Sequence, residues 1–125
     1  MENKLILSSL GHTWILDLDG TILKHNGYKD SGGDTFLPGA RQFINELPES
    51  DFIVFITSRS ILYKEKTEEF LHANGIRFNI IIYNAPYGER ILINDSKPSG
   101  LKMAYAINKK RDTGEFCEYK IDKEV

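Results

Sequence analysis

Short, almost entirely apolar runs alternate with longer amphipathic segments along this chain, and this alternation constrains its fold more than any other feature. The runs "TWILDL" (13–18) and "FIVFI" (52–56) have the composition of strands buried on both faces. Apolar residues at helical spacing predict helices within 37–50 and 60–75, the first ended by Pro48 and the second by Gly75. Strands that alternate with helices predict an α/β sandwich around a mainly parallel sheet.

The second half of the chain continues the alternation. "RFNIIIY" (77–83) and "RILIN" (90–94) predict a third and a fourth strand, and "KPSGLKMAYAINKK" (97–110) predicts a closing helix. The polar, glycine-containing stretch 24–34 predicts a loop at the tip of a hairpin. The tail allows two interpretations, an added edge strand or a cover over the core, formed by Phe116, Tyr119 and Ile121.

Composition limits the class of protein. The chain has 125 residues, of which 41% are hydrophobic and 27% charged, so we expect one globular domain over residues 1–125. A net charge of −2 gives no overall attraction to nucleic acid or to an anionic membrane, and no segment is apolar for long enough to span a bilayer. Cys117 is the single cysteine, which excludes an intrachain disulfide and a cysteine-rich zinc site. We therefore expect a cytoplasmic protein that binds a small phosphorylated metabolite.

Polar side chains follow the predicted strands where each one ends: Asp17, Asp19, Thr57 and Asp95. The carboxyl ends of parallel strands share one edge of the sheet, and ligands bind beyond that edge, so we expect these side chains to meet. Three converging carboxylates repel one another. A hard divalent cation such as Mg²⁺ removes that repulsion and leaves ligand positions for substrate oxygens. Gly20 permits the chain to turn sharply here, and Thr21 supplies a donor.

Each of these residues also has a purely structural interpretation. Asp19 and Gly20 form a dipeptide that is common in turns. Thr57 and Asp95 are each followed by a predicted helix that they could cap. Lys97 could be a solvated surface lysine.

The sequence "DLDGT" (17–21) resembles the first signature of the haloacid dehalogenase (HAD) superfamily, whose phosphatases carry Asp-x-Asp-Gly-Thr/Val. "FIVFIT", which ends at Thr57, is similar to the second signature, and "ILINDSKP", which contains Asp95, to the acidic last one. The resemblance covers residues 13–107 and implies a three-layer, Rossmann-like (HAD-like) sandwich.

The larger members of this family carry a cap domain after the first motif or between the middle motifs. Here the segments between Thr21 and Pro38 and between Thr57 and Arg90 are too short for one. The chain is therefore similar to capless, C0-type members from polysaccharide and capsule biosynthesis clusters. Its site is expected to be open to solvent, with only the 24–34 loop or a second subunit of a homo-oligomer to cover it.

The resemblance also implies roles for individual residues. Asp17 is expected to be the nucleophile that forms an aspartyl-phosphate, and Asp19 the general acid and then the general base. Asp17, Asp19 through its main-chain carbonyl and Asp95 are expected to hold Mg²⁺. The phosphoryl group and the substrate are expected to contact Gly20, Thr21, Thr57, Ser58 and Arg59. These roles describe a Mg²⁺-dependent phosphatase for a sugar phosphate or a related biosynthetic metabolite.

One expected group is missing from the pattern. The family supplies a cation to the phosphate, and capless relatives carry it as a lysine in a Gly-Lys-Pro segment, where this chain has Ala85. Lys97 is the first candidate to replace that lysine, followed by Arg59 and Arg90. If none does, the alternative is a catalytically weak or inactive HAD-like module that binds metal or phosphate and serves as a scaffold or partner protein.

Overall fold

Two parallel sheets form in the structure, a computed structural model that describes residues 4–125. The fold is mixed α/β. Its strands are β1 (Lys4–Leu7), β2 (Thr13–Asp17), β3 (Phe52–Ile56), β4 (Ile80–Ile82) and β5 (Glu118–Ile121). Its α-helices are α1 (Ala40–Asn45) and α2 (Lys64–Ala73), and 3₁₀ helices form at Gly27–Lys29 and Ile61–Tyr63. The chain divides into two compact units, which are described separately.

The larger unit comprises Gly11–Pro86 and Lys109–Phe116 and contains a sheet in the order β2-β3-β4. Both strand pairs are parallel, with Asp17 opposite Ile56 and Ile56 opposite Ile82. The carboxyl ends of the three strands therefore lie level with one another. The strands predicted within 13–18, 52–56 and 77–83 are confirmed, but the predicted burial of the first two on both faces is wrong, because Ile15 and Phe52 are exposed.

One face of this sheet carries the core of the unit. Ile53 and Phe55 alternate toward that face and are fully buried, a location that stabilises the fold by about 1.5–3 kcal/mol for each side chain. Phe43 of α1 packs edge-on against Trp14, with ring centroids 6.1 Å apart. Phe78 lies between Phe55 and His72 of α2, at 5.9 and 5.1 Å. These contacts put both α-helices on the same face, while the opposite face leaves Ile15, Phe52, Ile80 and Ile82 exposed.

The segments that join these strands follow the sequence prediction. Leu23 pairs with Phe36 in an antiparallel bridge, and the Lys24 N–H donates to the Thr35 carbonyl at 2.9 Å, so the predicted loop is the tip of a short hairpin. Gly75 follows α2 with φ +72°, a conformation that suits a glycine after the C-cap of a helix.

The start of the second helical segment shows which residue caps it. Ser60 Oγ accepts a hydrogen bond from the Leu62 N–H at 3.2 Å and caps the 3₁₀ helix that leads into α2. Thr57 therefore does not cap this helix.

The smaller unit comprises the described residues up to Leu10, with Tyr87–Asn108 and Cys117–Val125. Its sheet pairs β1 in parallel with β5, so that Leu5 lies opposite Tyr119 and Leu7 opposite Ile121. For Tyr119 and Ile121 the edge-strand interpretation of the tail is correct, whereas Phe116 lies outside β5 and packs on Phe43, as the covering interpretation predicts. Strand β1 was not predicted.

The predicted fourth strand (90–94) and closing helix (97–110) are wrong. Residues 90–110 contain no helix or strand, and Ile91 and Ile93 are 83% and 90% exposed. The Gly100 N–H donates to the Lys97 carbonyl at 2.8 Å in a turn, and Gly100 has φ +95°. A residue in that conformation interrupts a right-handed helix, so Pro98 does not start one and Asp95 caps none.

No helix in residues 4–125 combines the length and the apolar character needed to cross a membrane.

Candidate functional site

The loop after β2 is folded around one carbonyl. The oxygen of Leu18, whose side chain is fully buried, accepts the N–H groups of Thr21, Ile22 and Leu23 at 3.2, 2.9 and 2.9 Å. Gly20 makes the turn with φ +86°, where a side chain would be strained. This fold brings the Thr21 hydroxyl to within 3.0 Å of Asp17 Oδ2, to which it donates a hydrogen bond. The half-buried carboxylate of Asp17 is thus oriented by its own loop.

Thr57 lies at the same end of the sheet, one residue beyond β3. It is fully buried, and its N–H donates to the Ile82 carbonyl at 2.9 Å, continuing the β3–β4 ladder. Its carbonyl accepts the Ala85 N–H at 3.0 Å, and its Oγ1 accepts the Arg59 N–H at 3.0 Å. The structure therefore gathers Asp17, Thr57 and the backbone of Ala85 at the carboxyl ends of the strands.

Arg59 is the most extensively bonded side chain of this end. The residue is 2% exposed. Its Nε and Nη2 donate to the two carboxylate oxygens of Asp19 at 3.0 and 2.9 Å. Nη1 and Nη2 donate to Asp34 at 3.0 and 2.7 Å, and Nη1 also donates to Thr67 Oγ1 at 2.9 Å. The guanidinium lies 4.1 Å from the ring centroid of Tyr28, a cation–π contact. All five N–H groups of Arg59 are thus donated inside the protein.

The charge of this cluster follows from these contacts. Burial by itself lowers the pKa of Arg59, but hydrogen bonds and the charges of Asp19 and Asp34 outweigh it and raise the pKa above its ordinary value. With two carboxylates to one guanidinium, the cluster has an excess of one negative charge when both acids are ionised. A direct contact from Arg59 to a substrate phosphate would require one of its hydrogen bonds to be broken.

No motif in the sequence pointed directly to the partners of Arg59. Asp34 and Tyr28 belong to the 24–34 hairpin, and Thr67 belongs to α2. A buried arginine needs carboxylates nearby to balance its charge. This rule could have pointed to Asp34, the carboxylate at the end of the predicted 24–34 loop. The contact of Asp34 and Tyr28 with Arg59 depends on how the hairpin packs in the folded protein, which the local sequence does not show.

Two further side chains near this end, the predicted substrate contact Ser58 and the unpredicted Tyr83, already form hydrogen bonds within the protein. Ser58 Oγ donates to the Pro86 carbonyl at 3.3 Å. Tyr83, directly after β4, donates its hydroxyl to Glu68 Oε2 at 3.0 Å. Burial raises the pKa of Tyr83, and Glu68 raises it further, so this phenol stays protonated at neutral pH.

Asp95 and Lys97 belong to the smaller unit and are exposed, as is Arg90. The Asp95 carbonyl accepts from Asn94 Nδ2 at 3.1 Å, and the Lys97 N–H donates to the Leu101 carbonyl at 3.1 Å. Within the described part of the chain, no three His, Cys, Asp or Glu side chains are grouped so that they could hold a metal ion. The proposed ligand role of Asp95 and the cationic role of Lys97 remain predictions.

A second polar cluster lies at the opposite end of the sheet, before β2 and β3. Asp51 is 3% exposed, and its Oδ1 accepts the His12 N–H at 3.1 Å. Its Oδ2 accepts Trp14 Nε1–H at 2.9 Å and lies 2.8 Å from His12 Nδ1. Arg77 donates to the Asp51 and Pro48 carbonyls at 2.9 and 2.7 Å. Burial raises the pKa of Asp51, but the hydrogen bonds from Trp14 and His12 lower it more, so the net shift is downward.

The two ends of the sheet thus offer different chemistry. The carboxyl end brings an oriented carboxylate, a buried threonine and a second carboxylate held by arginine to the same end of the sheet. The amino end holds the buried carboxylate of Asp51, which is enclosed by donors. In comparisons with known proteins, no family model, no curated protein and no solved structure matches this chain.

Proposed function

We propose that this chain is a Mg²⁺-dependent phosphomonoesterase of the HAD superfamily, with the three-layer arrangement of that family. Its substrate is a small phosphorylated metabolite, with a sugar phosphate as the first candidate. The reaction proceeds through an aspartyl-phosphate on Asp17. Because the site has no cap domain, a second subunit or the substrate itself excludes water from it.

One observation carries the proposal. Asp17 ends β2 in register with Ile56, so that Thr57 follows on the neighbouring parallel strand at the same end of the sheet. Thr21 holds the carboxylate of Asp17 from within the same loop, at 3.0 Å. A carboxylate that is oriented by its own loop, at the same end of the sheet as a buried threonine, is a suitable arrangement for attack on a bound phosphoryl group.

The chemistry can be followed through the side chains. An oxygen of Asp17 attacks phosphorus, and the bond from phosphorus to the leaving oxygen breaks as Asp19 gives that oxygen a proton. Water then attacks the phosphorus and loses a proton to Asp19. The bond between phosphorus and Asp17 breaks, which releases inorganic phosphate and restores both carboxyl groups. Each Asp19 oxygen accepts one hydrogen bond from Arg59 and retains a second lone pair for this proton.

Two oxygen groups at the end of β2 and in the loop after it are of the kind that magnesium prefers. They are the carboxylate of Asp17 and the main-chain carbonyl of Asp19, while the ligand role of Asp95 stays a prediction. When bound, the ion would neutralise charge that develops on the phosphoryl oxygens.

A second function is favoured by one residue. Ala85, whose N–H reaches Thr57, presents only a methyl group where a phosphate-binding lysine is expected. Without another cation the chain would bind metal or phosphate but turn over slowly, and would act as a scaffold or partner protein. The two functions differ in whether phosphate is released.

The test is phosphate release from a panel of sugar phosphates and other phosphomonoesters, with Mg²⁺ and with EDTA. We expect release that requires Mg²⁺ and that falls at least about 10³-fold in Asp17→Asn, because the amide cannot act as the nucleophile. Hydroxylamine added during turnover should convert residue 17 into a hydroxamate, detected by mass spectrometry.

Glu49→Gln is the matched control, since it removes one exposed carboxylate near the amino end of the sheet. It should retain the wild-type rate. A wild-type protein that binds Mg²⁺ but releases no phosphate from any ester would favour the scaffold. An Asp17→Asn variant as active as the wild type would rule out the nucleophile.

A further inference from the structure

The segment Lys109–Phe116 returns to the larger unit and docks on the loop that carries Asp17 and Asp19. The Asp112 N–H donates to the Gly20 carbonyl at 2.9 Å, and Asp112 Oδ1 accepts the His25 N–H at 2.9 Å. These two bonds fasten the segment to the loop that follows β2, called here the motif loop (residues 18–25).

The same segment is anchored a few residues further on. The ring of Phe116 stacks on Phe43 of α1 at 4.9 Å, with the planes 19° apart. Gly114 lies so close to Pro38 that a Cβ there would be 2.7 Å from the Pro38 carbonyl oxygen. The position of residue 111 is therefore set by the contacts of the residues that follow it, Asp112, Gly114 and Phe116.

Arg111 lies across Gly20. A Cβ built on Gly20 would be 3.0 Å from Arg111 Cγ and 3.5 Å from Nε. Gly20 lies between Asp19 and Thr21, the residue that holds Asp17. The stem of Arg111 thus packs on the turn from which the proposed nucleophile and general acid project.

The surrounding charges make this arginine unusual. Asp17, Asp19 and Asp34 bring three carboxylates to this end of the unit, and Arg59 has donated all its N–H groups to two of them and Thr67. Arg111 is exposed, and within residues 4–125 no salt bridge or side-chain hydrogen bond is found for its guanidinium. It is a cation positioned at an acidic loop with its donors available to a ligand.

We propose that Arg111 binds the phosphoryl group of the substrate and supplies the positive charge that Ala85 cannot. A guanidinium presents paired N–H donors that match two phosphoryl oxygens, and its charge stabilises the transition state of the transfer. This inference rests on the proposed phosphatase function. It assigns the cationic role to a residue beyond all three signature motifs, in place of Lys97, Arg59 or Arg90.

The experiment compares Arg111→Gln and Arg111→Lys with Lys110→Gln, a matched control that removes the adjacent exposed charge. We expect Arg111→Gln to lower kcat/KM for a phosphomonoester about 100-fold, as loss of a transition-state donor typically does. Arg111→Lys should recover part of that loss, and Lys110→Gln should behave as wild type. Wild-type rates in Arg111→Gln, or a comparable loss in Lys97→Ala alone, would overturn the assignment.

A binding measurement separates this inference from the proposed function. Titration of each protein with inorganic phosphate in the presence of Mg²⁺, followed by calorimetry, should show affinity at least tenfold weaker in Arg111→Gln than in wild type and Lys110→Gln. If no ester is hydrolysed but this difference is present, the phosphatase proposal fails and the phosphate contact of Arg111 stands. Equal phosphate affinity in Arg111→Gln and wild type, or no binding by either, would reject the contact.

Discussion

Both ends of the three-stranded sheet bury charged side chains, but they differ in how many carboxylates lie beside each positively charged or donor group. At the amino end, one carboxylate, Asp51, is enclosed by the donors of His12 and Trp14. At the carboxyl end, one guanidinium, Arg59, is shared by Asp19 and Asp34, with Asp17 in the adjoining loop. A single acid surrounded by donors needs nothing further. Where carboxylates outnumber the cation between them, the uncompensated negative charge favours binding of a metal ion or the approach of a further arginine.

Arg59→Met should produce the largest loss of stability. It leaves the carboxylates of Asp19 and Asp34 close together without their cation, and breaking a buried ion pair from one side costs about 3–5 kcal/mol. The measurement is the free energy of unfolding from urea titration at pH 7.

Arg41→Met is its control. Arg41 is exposed, donates to the Asn74 carbonyl at 3.1 Å and lies 5.5 Å from the Phe36 ring centroid. It should cost no more than about 1 kcal/mol, as surface substitutions usually do. Equal losses in the two variants would mean that the Arg59 cluster does not hold this end together.

Asp51→Asn should produce an intermediate loss. An amide cannot accept from the His12 N–H and from Trp14 Nε1–H at once, because its NH₂ must face one of these donors. Leaving one buried donor unpaired costs about 1–3 kcal/mol at pH 7.

The pH dependence of this loss has a definite sign. The pKa of Asp51 is lower in the folded protein than its ordinary value of 3.8, so the ionised carboxylate contributes its full stability above that value. This contribution is lost as the pH falls through the lowered pKa. The stability difference between wild type and Asp51→Asn should therefore be greatest at neutral pH and shrink below about pH 4. A difference that stays constant from pH 7 to pH 2.5 would show that ionisation of Asp51 is not what stabilises this end.

The sequence predicted the strands of the larger unit because β3 and the region around β4 are apolar on both faces, a pattern that needs little tertiary information. It missed β1, whose four residues are too few to distinguish a strand from a coil. It placed a strand at 90–94 on apolar composition alone, although such a run becomes a strand only when a partner backbone is available. The turn at Gly100 likewise overrides the helical spacing that follows it.

The residues of the candidate site likewise fall into those that the sequence could predict and those that it could not. Asp17, Asp19 and Thr57 follow strands, so their common location could be predicted from parallel strand geometry. Asp34 and Arg111 reach the site from a hairpin and from a returning segment, and their positions depend on packing that no local pattern encodes. The sequence "KKRDTG" (109–114) contained a basic run, but nothing in it indicated that the chain turns back at this point.

Gly20→Ala should produce the smallest effect and the most specific one. At φ +86° an alanine costs about 1–2 kcal/mol from backbone strain, and its Cβ would press on Arg111 Cγ at 3.0 Å. Gly39→Ala is the matched control, because Gly39 has φ +77° with no neighbouring atom within 4 Å of its Cβ position. The excess cost of Gly20→Ala over Gly39→Ala therefore measures the contact with Arg111.

That excess should vanish when Gly20→Ala is combined with Arg111→Ala, since the double variant keeps the strain and removes the neighbour. The measurement is a double-mutant cycle on the free energy of unfolding, run alongside phosphate affinity. Gly20→Ala alone should also weaken phosphate binding, because the displaced arginine no longer lies over the turn. A cycle with no coupling between residues 20 and 111 would show that Arg111 does not press on the turn at Gly20. The proposed Mg²⁺ would then be the remaining cation to balance the excess negative charge at the carboxyl end.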